Sequence, residues 1–120
     1  MTAWASLPIN KIKLPLPVGI NSLYKQGRHG WYKDKKAVDW QTEALWTIKT
    51  VKIPKDKYNS VYITWFIKDK RKHDIDGPLK LLLDTLVKAN LFKDDNDIFF
   101  LQVQKILIHA KQNYCEIELQ

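Results

Sequence analysis

At 120 residues, of which 45% are hydrophobic, the chain is long enough for one compact domain, too short for two, and too apolar for intrinsic disorder. Its 20 Lys and Arg against 13 Asp and Glu leave a formal charge of +7, which favours a polyanionic partner through phosphate contacts, with a merely solvated basic surface as the plainer alternative. The lone Cys115 excludes an internal disulfide and a zinc finger, and no apolar run approaches the ~20 residues of a membrane span. Cys115, read as a buried core thiol, makes the expected compartment reducing and cytoplasmic, and residues 1–6 lack a secretory pattern. A core this small also makes dimerisation an economical way to bury apolar surface.

Residues 9–14 alternate apolar and polar and predict a first strand, stopped by Pro15 and Pro17. Residues 18–31 have no strong period and contain Gly19, Gly27 and Gly30, which reads as a mobile loop with Gly27-Arg28-His29-Gly30 near its tip. From 35 to 51, Ala37, Trp40, Ala44, Leu45 and Ile48 mark one helical face, and Pro54 lies just past its end. Residues 58–67, rich in β-branched and aromatic side chains, predict a central strand.

The most regular pattern runs from 77 to 89. Leu79, Leu82, Leu83, Leu86 and Val87 form an apolar stripe, and Lys80, Asp84 and Lys88 lie on another face. Asp76 or Gly77 is placed to cap this helix, Pro78 fits its first turn, and Asn90 fits its stop. An acidic run, 93–97, leads to a long strand over 98–110. Gln112-Asn113 makes a turn, and 114–119 closes with Cys115, Ile117 and Leu119 on one face. The expected fold is therefore α+β (mixed α/β) in a single domain over 1–120. Its order is βαβαββ, a mixed four-stranded sheet packed by two main helices. Trp40, Trp46, Trp65 and the Cys115 thiol are assigned to the core, and Trp4 and Trp31 to loops.

The chemistry concentrates where the central strand gives way to the second helix. A basic run, Lys68, Lys70, Arg71, Lys72 and His73, meets Asp74 and Asp76, whose i, i+2 spacing puts both carboxylates on one side of an extended chain. Lys80 follows one turn later. Two adjacent acids repel unless a cation joins them, and Mg²⁺ takes carboxylate oxygens of this kind. Lys80 would then stabilise developing negative charge or orient the attacking water. Each feature has a plain counterpart. Asp76 is equally an N-cap, Asp94, Asp95 and Asp97 are equally a solvated turn, and Lys80 is equally a partner of Asp84.

In this stretch the sequence resembles the RusA family of Holliday-junction resolvases (crossover junction endodeoxyribonucleases). The shared pattern is basic residues, D-x-D, a lysine four residues later, an amphipathic helix and a D-D pair. It is carried here by Lys70-Arg71-Lys72-His73-Asp74-Ile75-Asp76, Lys80, and Asp94-Asp95. Leu14-Pro15-Leu16-Pro17 with Asn21 and Tyr24 fits the family's N-terminal segment. The resemblance implies a homodimer that makes paired nicks in a four-way junction, with Mg²⁺ (or Mn²⁺ in its place) held by Asp74, Asp76 and Asp95. It implies that Lys80 is essential for catalysis and that Asp94 neighbours the site. Lys68, Lys70, Arg71, Lys72, His73, Asn21 and Arg28 are the expected DNA contacts, and a phage or bacterial source is consistent with it. Two departures stand out. Gly77-Pro78 follows Asp76 where the family usually has an Asn, and His73 replaces an arginine whose guanidinium would hold phosphate more firmly.

Two other classes compete. A non-catalytic, structure-selective DNA-binding protein on the same fold would need the basic face but not the acids. A restriction-type nuclease would use Asp34-Lys35-Lys36, which lacks a well-placed upstream acid.

Overall fold

The computed structural model describes residues 10–17, 24–27, 30–33, 35–55, 58–68, 75–108 and 111–120. Strands β1 (Lys11–Pro15), β4 (Ser60–Ile67), β5 (Phe100–Leu107) and β6 (Tyr114–Leu119) form one sheet in the order β1-β6-β4-β5. β4 runs parallel to β5 and antiparallel to β6, and β6 runs antiparallel to β1, so the sheet is mixed. Helices α1 (Lys35–Val51) and α2 (Leu79–Lys88) pack together, and α1 also packs against β1. The expected fold class and the order of its main elements are those observed.

Strand periodicity decides which face meets the helices. Val61, Ile63, Trp65 and Ile67 of β4 are buried, and Tyr62, Thr64 and Phe66 are half-buried on the reverse face. In register beside them, Cys115, Ile117 and Leu119 of β6 are buried, as are Ile12 and Leu14 of β1. The helices answer with Ala37, Trp40, Ala44 and Ile48 from α1 and Leu81, Leu82 and Leu86 from α2. Removing this apolar surface from water supplies the main folding force, about 25 cal/mol per Å².

Two polar devices fix how the helices sit. The Trp40 indole donates to the Pro15 carbonyl at 2.8 Å, tying α1 to the end of β1. Between the helices, buried Gln41 donates to Thr85 Oγ1 at 3.0 Å, and Thr85 donates to the Leu81 carbonyl at 2.7 Å. Lys88 reaches Gln41 Oε1 at 3.4 Å. These bonds satisfy groups that would be costly to bury alone.

Three expectations are corrected. The segment read as a mobile loop contains a hairpin, β2 (Tyr24–Gly27) against β3 (Gly30–Lys33), with Gly27 paired to Gly30 across the expected tip. Trp31 therefore lies in a strand rather than a loop. Trp46 is not a core residue. It is 69% exposed, with the Lys49 ammonium 5.6 Å above its ring. It falls off the stripe that carries Trp40, Ala44 and Ile48, so packing never reaches it.

Cys115 is a core thiol, as expected. Burial pushes its pKa up to about 12, only partly offset by the backbone hydrogen bond from Leu14. Since the thiolate is the nucleophile, the folded protein should leave a disulfide reagent such as DTNB unreacted at pH 8 and consume one equivalent once unfolded. Fast labelling of the folded protein would contradict this packing.

Candidate active site at the strand-to-helix junction

β4 ends at Ile67, and Lys68 follows, exposed, its backbone N–H donating to Asn113 Oδ1 at 2.8 Å. The chain next returns at Ile75, whose carbonyl accepts a 2.6 Å hydrogen bond from the indole N–H of Trp65. Trp65 is only 1% exposed. A buried indole N–H must find an acceptor, and the one it finds here is the backbone immediately before Asp76. The junction segment is thereby fastened to the end of the central strand.

Asp76 then stands in solvent. Its carbonyl accepts from the Leu79 N–H at 3.1 Å, but its carboxylate does not cap the helix. The N-cap position belongs to Pro78, which makes no side-chain cap bond. The expectations that Asp76 or Gly77 would cap α2, and that Pro78 would lie inside its first turn, are corrected accordingly. A carboxylate not spent on capping keeps its oxygens for a cation.

Lys80, in the first turn of α2, is exposed and lies 3.7 Å from Asp84, one turn on. With both side chains about half in water (52% and 44% exposed), that pair is worth a few tenths of a kcal/mol. It holds the ammonium loosely on the same helix end as Asp76.

The acidic run comes back along α2. The helix closes with Asn90 at φ 65°, its N–H bonding the Val87 carbonyl while the Leu91 N–H bonds that of Leu86. This left-handed cap reverses the chain and buries Leu91 and Phe92. Asp94 then faces α2 across an open hollow lined by Asp84, Val87, Lys88 and Asp94. A single 3₁₀ turn, Asp95–Asp97, follows and contacts α2. Asp94 Oδ1 accepts from the Asn96 N–H at 3.2 Å, so this carboxylate serves as cap to the turn that Asp95 opens.

Of the expected site residues, the structure describes Asp76, Lys80 and Lys68, and the backbone of Asp95. Asp74, Lys70, Arg71, Lys72, His73, Asn21 and Arg28, together with the side chain of Asp95, lie outside the described residues. Among the described residues no three metal-ligating side chains converge. The sequence reading missed the anchoring part of Trp65. The available signal was a tryptophan two residues from the end of a strand, whose N–H would need a partner in the chain that follows. It also treated Asn113 only as part of a turn.

The family model described as RusA, endodeoxyribonuclease RusA, matches residues 15–120. The crossover junction endodeoxyribonuclease RusA of Aquifex aeolicus (strain VF5) is 32% identical over 102 residues, which span 83% of this chain and 80% of that protein. The family match includes the whole junction, from the basic run through Asp95.

Because Lys80 is exposed and only weakly paired, Lys80→Ala should change folding stability by no more than about 0.5 kcal/mol in a urea titration. The same variant should lose most DNA cleavage. Loss of fold in parallel with loss of cleavage would assign Lys80 to structure instead.

Proposed function

This chain belongs to the RusA family of endodeoxyribonucleases, and we propose that it resolves four-way (Holliday) DNA junctions by metal-dependent hydrolysis of the phosphodiester backbone. The observation that carries the reading is Asp76. Its carboxylate is exposed and unused by the helix, on a backbone that Trp65 pins to the central strand. An acid left free beside a basic run is of no service to a protein that only binds phosphates.

Asp74, Asp76 and Asp95 are the residues that would hold the metal. Hard carboxylate oxygens are the donors that Mg²⁺, or Mn²⁺ in its place, takes up. When bound, such a cation supplies positive charge to the scissile phosphate and makes water a stronger acid. The chain's own residues do the rest. Lys80, easily released from Asp84, brings its ammonium to the charge that develops on the phosphoryl oxygens. Lys68, Lys70, Arg71 and Lys72 grip the flanking backbone, with His73 adding a contact that strengthens as it protonates. Asn21 and Arg28 extend that grip from the N-terminal segment. Asp94, committed to capping, supports the turn that presents Asp95.

A junction has approximate two-fold symmetry, and resolving it requires nicks in two opposed strands. One chain has one set of acids. A homodimer related by a two-fold axis carries two sets in matching orientation, so paired nicks follow from its symmetry. We take the working enzyme to be that dimer.

The test compares a synthetic four-way junction with linear duplex of the same sequence, with and without Mg²⁺. Cleavage should be confined to the junction and should need the metal. Asp76→Asn should lower its rate by at least about 100-fold, since even groups behind the metal ligands are worth 10–100-fold. Junction binding should persist or tighten, because negative charge beside phosphate is removed. Cleavage by Asp76→Asn at the unaltered rate would overturn the assignment.

A further inference from the structure

A groove runs past the C-terminal ends of α1 and α2, at the opposite end of α2 from Asp76 and Lys80. Its first stretch is walled by Lys49 and Lys52, its second by Lys93 and Phe99, and Lys55 and Leu91 line both. The floor is firm. Ile53, Leu91 and Phe92 are buried, and the Tyr58 ring lies 6.3 Å from that of Phe92. The Tyr58 hydroxyl donates to the Pro54 carbonyl at 2.6 Å.

The groove is strongly positive. Lys49, Lys52, Lys55 and Lys93 are exposed, and none of them pairs with an acid among the described residues. Asp97 is the one acid that lines the groove among those residues. The helix dipole accounts for Lys49, in the last turn of α1, but Lys55 and Lys93 lie beyond both helices. Lys52 is at φ 58°, where glycine or asparagine is the usual occupant, so the turn itself does not call for a lysine. Ammonium groups brought to one groove from two separate stretches of chain suit a polyanion.

Phe99 adds a second feature. Its side chain is 82% exposed, while its backbone N–H donates to the Asn59 carbonyl at 2.8 Å. An aromatic ring is thus held out in water on a fixed stem, and core packing has no use for it there. A flat apolar ring beside ammonium groups is the combination that grips unpaired nucleotides, with phosphates on the cations and a base on the ring. Duplex DNA offers the phosphates but keeps its base faces stacked inside, which would leave Phe99 in water. Beyond the other end of the groove, Trp46 stands exposed beside Lys49.

We propose that this groove is a second DNA-binding site that takes a single strand, its phosphates on Lys49, Lys52, Lys55 and Lys93 and a base stacked on Phe99. The proposal rests on the junction reading for the source of that strand, an unpaired stretch at or beside the branch. The groove is separate from the candidate active site but close to it. α2, ten residues and about 15 Å long, lies between the groove and Lys80. The acidic turn links the two, since Lys93 precedes it, Asp95 opens it and Asp97 ends it. Such a groove favours branched DNA with an unpaired segment over a fully paired junction, a preference that metal-binding acids cannot supply.

Fluorescence anisotropy of a labelled oligothymidylate of about 16 nucleotides, which neither pairs nor branches, tests the groove apart from cleavage. The unaltered protein should bind it with an affinity that falls steeply with salt. As Lys49→Gln, Lys52→Gln, Lys55→Gln and Lys93→Gln are combined, the log–log slope should shrink by about 0.7 for each. Phe99→Ala should weaken binding about tenfold at unchanged slope. Phe99→Trp should bind as the unaltered protein does, with its indole fluorescence quenched by the oligonucleotide. Every variant should keep the circular dichroism of the folded protein. If the four-lysine variant and Phe99→Ala both bind as the unaltered protein does, while junctions are still cut, the strand lies elsewhere and this proposal falls alone. If the lysines matter but Phe99→Ala has no effect and linear duplex binds as tightly, the single-strand assignment is overturned. If the groove behaves as expected but no junction is cut in Mg²⁺, the binding site stands and the resolvase reading falls.

Discussion

The hydrogen bond from the Trp65 indole to the Ile75 carbonyl is the constraint on which the candidate site depends. Trp65 fills the core beneath β4, so its ring cannot turn to seek another acceptor without disturbing its neighbours. Losing the bond would leave a buried N–H unsatisfied, at a cost of about 1–3 kcal/mol. The ring therefore transmits the position of the sheet to the backbone before Asp76. Residue 76 inherits its place from the buried central strand, although its side chain stands in water. That combination suits a metal-binding carboxylate, which must be both accessible and held.

The second half of the site depends on α2. Its apolar stripe is buried, and its roll about its own axis is fixed by Thr85 and Lys88 bonding to Gln41 of α1. With that roll fixed, Lys80 and Asp84 stay on the solvent side. The left-handed residue Asn90 turns the chain sharply enough for the acidic run to come back along the same helix. Asp94 secures the turn by capping it, which leaves Asp95 as the acid at its opening. Two neighbouring aspartates thus have different tasks: one closes a turn with backbone bonds, and the other begins it.

Much of the fold was legible because burial imposes a period. The expected span of α1 is the observed one, and the alternation of β6 was read at its observed limits, since each has one clear apolar face. The β2–β3 hairpin escaped because its strands are four residues long, too short for alternation to stand out, although Gly27 and Gly30 marked its tip. Trp46 misled because residue type was weighed above its angle on the helix. At the site, the local pattern Asp74-Ile75-Asp76 with Lys80 was plain, but Asp76 reads equally as a cap until the backbone at Pro78 is known. Nothing local placed the acidic run relative to α2, because its return depends on the conformation of Asn90 and on packing by Leu91 and Phe92. The anchoring bond of Trp65 spans ten residues and depends on tertiary structure.

Charge completes the logic of the surface. An excess of +7 draws a polyanion, while Asp76 stands exposed at the start of the second helix and Asp94 where the chain turns back along it. The claim at the centre is that Asp74, Asp76 and Asp95 act as one cation site although they are separated along the chain. Binding of Mn²⁺, followed by the loss of its free-ion electron paramagnetic resonance signal, measures this without relying on cleavage. The expected result is a saturable site in the unaltered protein that weakens by about tenfold or more in each of Asp74→Asn, Asp76→Asn and Asp95→Asn, with Asp97→Asn unchanged. Undiminished Mn²⁺ binding by Asp95→Asn, with the other two impaired, would contradict a site shared across α2.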